Sequence, residues 1–400
     1  MAGAKGDRIW VGTRKGTFVV EKSASGWQTR LVGHAGIGVN YAARDPYTGR
    51  IWALLGHGHW GAKLSVSDDG GANWADASNQ IKYPAGAKYI AQDMFEDSES
   101  EYGVGWKIST KPATLLKLWS IGFGPGGHVW VGTIPGGLFH STDGGDTFAL
   151  NLPLWNHDSR GGDLFDGTNT NADGSPKVTA WFGTPASEGE FAAGIHSIVV
   201  DPRNPDRVLV AVSTAGVIET SDGGKSWRSR NKGMRNENSP EPEAEWGHDT
   251  HYIDLCPGAP DHVWQQNHVG IYYSSDGAEN WQSVSKAGDR VHFGFPVAAD
   301  DRDGKTAWVV PGRSDQQRMA VDGGLMVART TDGGQSWTEL RAGLPQQNAY
   351  DVVYRHALDQ SAGSVAFGST TGNLYVSDDR GDSWAAVANN LPPIYSVRFG

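Results

Sequence analysis

The chain has 400 residues, 55 of them Gly and 17 Trp, with a single Cys and a formal net charge of −11. Acidity without a basic run argues against nucleic acid, which needs phosphate neutralisation; lone Cys256 rules out an internal disulfide; and no run approaches the roughly 18 apolar residues of a membrane-spanning helix. The opening MAGAKGDRIW lacks the apolar segment of a secretory signal, so a cytoplasmic location is expected. Gly at about twice its usual 7% predicts short strands joined by tight turns.

The chain opens on three strand-like runs, RIWVGT, GTFVVEKS and GWQTRLV, the last carrying Trp27. An eight-residue pattern, Ser/Thr-x-Asp-x-Gly-x-x-aromatic, then recurs. It reads SDDGGANW (Ser67 to Trp74), STDGGDTF (Ser141 to Phe148) and TSDGGKSW (Thr220 to Trp227). It continues as SSDGAENW (Ser274 to Trp281, with Ala278 for Gly), TTDGGQSW (Thr330 to Trp337) and SDDRGDSW (Ser377 to Trp384). Within such a turn the Asp accepts backbone N–H groups, the Gly takes φ > 0, and the aromatic re-enters a strand. The fourth unit shows the full plan: IHSIVVDP, RVLVAVS, GVIETSDGG and SWRSR, four strands from inside to outside.

Aromatics at 27, 74, 148, 227, 281, 337 and 384 mark seven units, the closest 47 residues apart. A four-stranded propeller blade takes about 40–45 residues. The prediction is an all-β, seven-bladed β-propeller in one domain, 1–400. Insertions at about 78–114, 150–193 and 228–248 fall between blades and should wall the channel mouth. The first unit lacks an inner strand and the chain ends on an orphan one, IYSVRFG (Ile394 to Gly400), so the C-terminus should complete the N-terminal blade and close the ring.

Aligning the inner strands gives one equivalent position per blade: Asn40, Trp119, His196, His251, Phe295, Tyr350 in the seventh and Tyr395 in the first. The loops between second and third strands add Arg14 and Lys15, His57, His59 and Trp60, His268, and Arg313 with Asp315 and Arg318; His248 and His292 just precede inner strands. His196, His251 and His268 come from adjacent blades and form a candidate site for one divalent metal ion, since three imidazoles with an open position suit Zn, Fe, Cu, Ni or Mn. Equally, one His could act as base and another orient it, with His292 a further catalytic candidate, or the rings could line a hydrated channel. Arg14, Lys15, Asn40, His57, His59, Trp60, Trp119, His248, Arg313 and Tyr350 are candidate substrate-binding residues. No organic cofactor is indicated. Weaker signals are the calcium-loop-like DGTNTNADG at 166–174, with Ala180 where a bidentate Glu is required, and Glu188, Glu190, Glu241, Glu243 and Glu245 on the insertions. Cys256 reads as a buried small hydrophobe.

The eight-residue pattern resembles the Asp-box, or BNR repeat, of sialidase-like and sortilin-like propellers. VGTRKGTFVV, SDDGGANW, HSIVVDP, QQNHVGIYYSSDG, FGFPVA, WVVP, LPQQNAY and LPPIYSV extend the resemblance, to bacterial BNR-repeat proteins, from residue 10 to 398. It implies that the repeat carboxylates are structural and lie on the face opposite the binding site. The Arg-Ile-Pro motif of true sialidases is absent; the nearest string is Thr133-Ile134-Pro135. The expected function is therefore an enzyme of hydrolase or lyase type acting on a small molecule or carbohydrate, with a non-catalytic binding or assembly propeller as the alternative and a true exo-sialidase a lesser one. No nucleic-acid or membrane partner is expected, and the oligomeric state is open.

Overall fold

The computed structural model describes residues 6–99, 104–161, 180–181, 183–187, 190–237 and 239–400. The 166–174 run and Glu188 lie outside the described residues.

Among the described residues the strands pair into eight four-stranded antiparallel sheets. Seven follow the blade plan. In the fourth, Ile195–Asp201, Asn204–Val212, Gly216–Thr220 and Arg228–Ser229 run in order from inside to outside. The innermost strands pack on one another in succession around the ring, and the seventh blade packs on the first. Closure is as expected: Ile394–Phe399 pairs with Arg8–Thr13, placing the end of the chain beside its beginning. Among the described residues no helix is long and apolar enough to cross a membrane.

Two sets of tryptophans hold the blades together. Trp10, Trp52, Trp130, Trp264 and Trp308 lie on second strands and are completely buried. The repeat aromatics reach back to the preceding blade: Trp74 Nε1 donates to the Val32 carbonyl (3.0 Å), Trp281 to Arg230 (2.6 Å) and Trp337 to Val284 (3.0 Å).

The repeat turns are consumed by their own hydrogen bonds. Ser141 Oγ donates to Asp143 Oδ1 (2.6 Å) and accepts from Gly145 N (2.8 Å), while Asp143 Oδ1 also accepts from Thr147 N (2.9 Å). The hydroxyl–carboxylate contact recurs at Asp69, Asp222, Asp276, Asp332 and Asp379. Side-chain and backbone donors hold these carboxyls low, with Asp69 and Asp332 at about 2. At the copy lacking Gly, Ala278 itself adopts φ +67°, the left-handed conformation glycine supplies elsewhere.

The eighth sheet is an addition that the local sequence pattern did not predict. A hairpin from the first insertion, Lys88–Glu96 and Val104–Pro112, pairs with a short hairpin from the second, Thr184–Ser187 and Glu190–Ala192, through Glu190 opposite Asp93 and Phe191 opposite Gln92. Lys111 clamps the join, reaching Asp93 Oδ1 (2.6 Å) and Glu190 Oε2 (2.7 Å). The insertions dock on the loops between second and third strands. Tyr83 Oη lies 2.6 Å from Thr133 Oγ1 in the third blade, and Gly247 N donates to Thr214 O in the fourth.

Candidate functional site at the channel mouth

One feature of the inner strands positions the site. In six blades the ladder slips by a bulge, and the residue left out of register is the equivalent one picked from the sequence: Asn40, Trp119, His196, His251, Phe295 and Tyr395. In the sixth blade Pro296 is skipped together with Phe295. A bulge re-aims a side chain, and it does so here at the same level around the ring.

The seventh blade corrects the expectation. Its inner strand is Leu358–Ser361, so Tyr350 lies well before it and is 62% exposed. His356 takes the ring position, bridging to Ser396 of the neighbouring strand. It is buried, and its Nε2 donates across the ring to the His196 carbonyl at 2.6 Å. Tyr41, Trp119 and Tyr252 pack around it with centroids 4.8, 5.6 and 5.8 Å away. Burial pulls its pKa down to about 3. Arg398 fills the channel with it, donating to Tyr41 Oη and Tyr252 Oη (both 2.6 Å) and to the carbonyls of Leu358 and Val397.

Beside this ring stand Asp249, His251 and His268, whose ligating atoms lie within 4.8 Å of one another; among the described residues this is the one group of three or more His, Cys, Asp or Glu side chains close enough to share an ion. Asp249 Oδ2 is 3.5 Å from His251 Nε2 and 3.6 Å from His268 Nδ1. The His268 backbone N–H donates to the Asp249 carbonyl (2.9 Å), and Gln265 Oε1 accepts from both Thr250 Oγ1 and Asn267 Nδ2 to fix the loop. His251 Nδ1 donates to the Gly294 carbonyl (2.7 Å), so in the neutral ring Nε2 carries only a lone pair toward Asp249. Phe295 stacks on His251 (4.8 Å, 23°), and Phe293 meets both His251 and His268 edge-on. Burial opposes charge on Asp249, and the Arg355 guanidinium is the fixed cation that favours its carboxylate form. Burial depresses His251 despite Asp249. At neutral pH the pair is a carboxylate facing a neutral imidazole.

Of the expected trio, the structure brings His251 and His268 together and leaves His196 apart. His196 is buried with Nδ1 on the Thr250 carbonyl (2.8 Å) and lies outside the cluster, in which Asp249 stands beside the other two. The missed signal was the string HDTH, in which Asp249 precedes His251 by two residues. His292 stands apart from this cluster and bonds Ser285 Oγ (3.0 Å) under Gly270. His248 is buried, its Nε2 on the Ala244 carbonyl (2.8 Å).

Of the other nominations, Asn40 donates to the Leu118 carbonyl (3.0 Å). His57 Nδ1 accepts from the backbone N–H of His59 and Trp60 and shapes its own turn, leaving Trp60 71% exposed. Arg14, Lys15 and Arg313 are exposed on their loops, and Arg318 pairs with Asp315. Glu190 belongs to the Lys111 clamp, Glu243 pairs with Arg235, Glu241 and Glu245 are exposed, and Cys256 is buried. Arg355, like Asp249 and His356, is a residue that sequence reasoning missed. Its guanidinium lies 5.4 Å from the Phe295 centroid and 6.0 Å from that of Trp119. Burial pulls its pKa down to about 10.

No family model matches the chain. A stretch of 147 residues, 34% of this chain, is 31% identical to an oligoxyloglucan-reducing end-specific xyloglucanase of Emericella nidulans; the chain spans 18% of that protein's length. Among solved structures, an ancestral GH74 enzyme superposes with a TM-score of 0.52 at 14% identity, covering 95% of this chain and 40% of its own. YCF48 from Cyanidioschyzon merolae gives a TM-score of 0.49 at 13% identity, over 89% of this chain and 87% of its own. The fold is that of a β-propeller.

Proposed function

We propose that this chain is an enzyme of hydrolase or lyase type, acting on a carbohydrate or related small molecule at the channel mouth, with a divalent transition metal held by Asp249, His251 and His268. We read its repeat as the Asp-box, serving the architecture on the other face. The observation that carries the proposal is the placement of Asp249 Oδ2 and His251 Nε2, two lone-pair atoms 3.5 Å apart with no proton between them. Tetrahedral ligands at bond lengths of about 2.0–2.1 Å lie about 3.4 Å from one another, close to the 3.5 and 3.6 Å here. The Gly294 carbonyl on His251 Nδ1 is the outer partner that fixes a ligating imidazole's tautomer.

Three protein ligands leave a position open, and a cation there polarises a substrate oxygen or activates water. Phe293 and Phe295 shield His251 from bulk water, while His268 stays partly exposed. The relative that is 31% identical is a xyloglucanase, which supports a carbohydrate as the ligand class.

Metal analysis of the purified protein is the test. Stoichiometric Zn or a neighbouring transition metal, lost in His251→Ala, His268→Ala and Asp249→Asn with the fold intact by circular dichroism, is expected. Turnover of an oligosaccharide should vanish with the metal and return on its addition. A metal-free protein with full turnover would overturn the metal; metal bound without turnover across a broad glycoside and lactone panel would favour a binding module.

A further inference from the structure

Arg355 differs from the other deeply set arginines. Arg398 spends its guanidinium on two tyrosine hydroxyls and two carbonyls. Arg207 and Arg230 share the Glu219 carboxylate, and Arg160 donates to the Gly136 carbonyl between the faces of Trp155 and Trp181. Arg355 hydrogen-bonds to none of the described residues, and its Nε is buried without an acceptor. Trp119, whose ring lies 6.0 Å from the Arg355 guanidinium, likewise has a buried Nε1 with no acceptor. Buried tryptophan Nε1 groups without acceptors recur in the blades, at Trp10, Trp52 and Trp130 among others, but an unmet charged donor is costlier, so Arg355 points to an acceptor that arrives from outside.

The surroundings say what kind. Phe295 lies against the Arg355 guanidinium and is itself stacked on His251. Arg318 lies 5.4 Å from the same Phe295 centroid, and Lys117 5.7 Å from that of Trp119. Three cations thus gather around two rings in a chain of net charge −11. A guanidinium between aromatic faces offers its donors edge-on, in the plane that a flat carboxylate matches with two parallel hydrogen bonds.

We propose that the substrate is a hydroxylated carboxylic acid, such as a sugar acid, whose carboxylate sits on Arg355 and Trp119 Nε1 while one of its hydroxyl or carbonyl oxygens reaches Asp249, His251 and His268. This rests on those three residues being the reacting centre. Arg355 is then the residue that selects acids over neutral sugars.

Calorimetry with matched probes tests it: D-glucuronate against D-glucose, D-gluconate against sorbitol, L-lactate against 1,2-propanediol, and inorganic phosphate. At least one acid should bind, with its neutral partner about 10- to 100-fold weaker, the worth of a charge-assisted hydrogen-bond pair. Arg355→Ala should cost that acid a similar factor with its melting temperature and metal content unchanged, and Arg355→Lys should recover part of it. Neutral partners binding as well as the acids, no acid binding, phosphate binding tighter than every carboxylate, or an unaffected Arg355→Ala would each overturn the anchor. The two readings fail separately. Metal-free protein that still binds acids through Arg355 keeps the anchor and removes the metal; metal-loaded protein indifferent to carboxylates does the reverse.

Discussion

The repeat turns and the channel mouth use similar side chains to opposite ends. At Asp143 the carboxylate oxygens are met by Ser141, the Thr147 N–H and the Thr147 hydroxyl, all within a single eight-residue segment. At Asp249, Oδ1 is buried without a partner and Oδ2 faces imidazole nitrogens at 3.5 and 3.6 Å. A carboxylate whose hydrogen bonds close locally is architecture. One assembled from separate stretches of chain with atoms left over is a candidate site, since unmet polar atoms in a fold come with a reason.

The largest perturbation breaks the frame on which both regions depend. Deleting residues 394–400 removes the inner strand of the first blade together with Arg398, which ties that blade to Tyr41, Tyr252 and Leu358. The exposed edges of the opened ring would invite association. The truncated chain should lose cooperative thermal unfolding and elute as aggregate; a monomer melting near the wild-type temperature would refute the account of closure.

A smaller effect is expected from the far side of the plug. The channel walls push the Asp254 carboxyl up to about 7, with nearby Asp359 adding to the rise and the Ala299 N–H and Arg398 opposing it. The unfolded chain ionises this carboxyl near the ordinary value of 3.8. Between pH 4 and 7 the native state therefore holds the extra proton, and this group's contribution to stability falls as pH rises through that window. Urea titrations at pH 4.5, 6 and 7.5 should show a downward slope that Asp254→Asn flattens. An unchanged slope in the variant would place the titration elsewhere.

The sequence made the frame legible and the site only in part, for a physical reason. The repeat turns, the strand tryptophans and the orphan C-terminal strand are local patterns, and six of the seven inner-ring residues followed from aligning one turn. The seventh blade misled because Leu358–Ser361 ends without the Asp-Pro turn seen after Val200, so the register slid to Tyr350 and hid both His356 and Arg355. Counting histidines alone passed over Asp249, although it stands two residues before His251. The eighth sheet pairs two insertions far apart in the chain, and neither contains any sign of the other.

At the mouth, removing the charge should relieve a conflict. Asp249→Asn gives His251 Nε2 an amide donor where it now faces a carboxylate. In metal-free protein this variant should melt at or slightly above wild type, a gain of up to about 1 kcal/mol, the net worth of one hydrogen bond, while binding no metal. A clear fall in melting temperature would mean that the carboxylate already has a structural partner.

The matching change on the repeat face has the opposite sign. Ser141 is buried and joins two groups at once, the Asp143 carboxylate and the Gly145 N–H. Ser141→Ala leaves that N–H without its acceptor against Trp52 of the neighbouring blade, which the residue at 145 approaches so closely that only glycine fits. The loss should be about 1 kcal/mol, a few degrees in melting temperature at most, with metal content and ligand affinity untouched. Because five other turns repeat the same bonds, the ring should survive it. If this variant instead altered affinity at the mouth, the two faces would be coupled through the blade, and the division between an architectural face and a functional one would have to be redrawn.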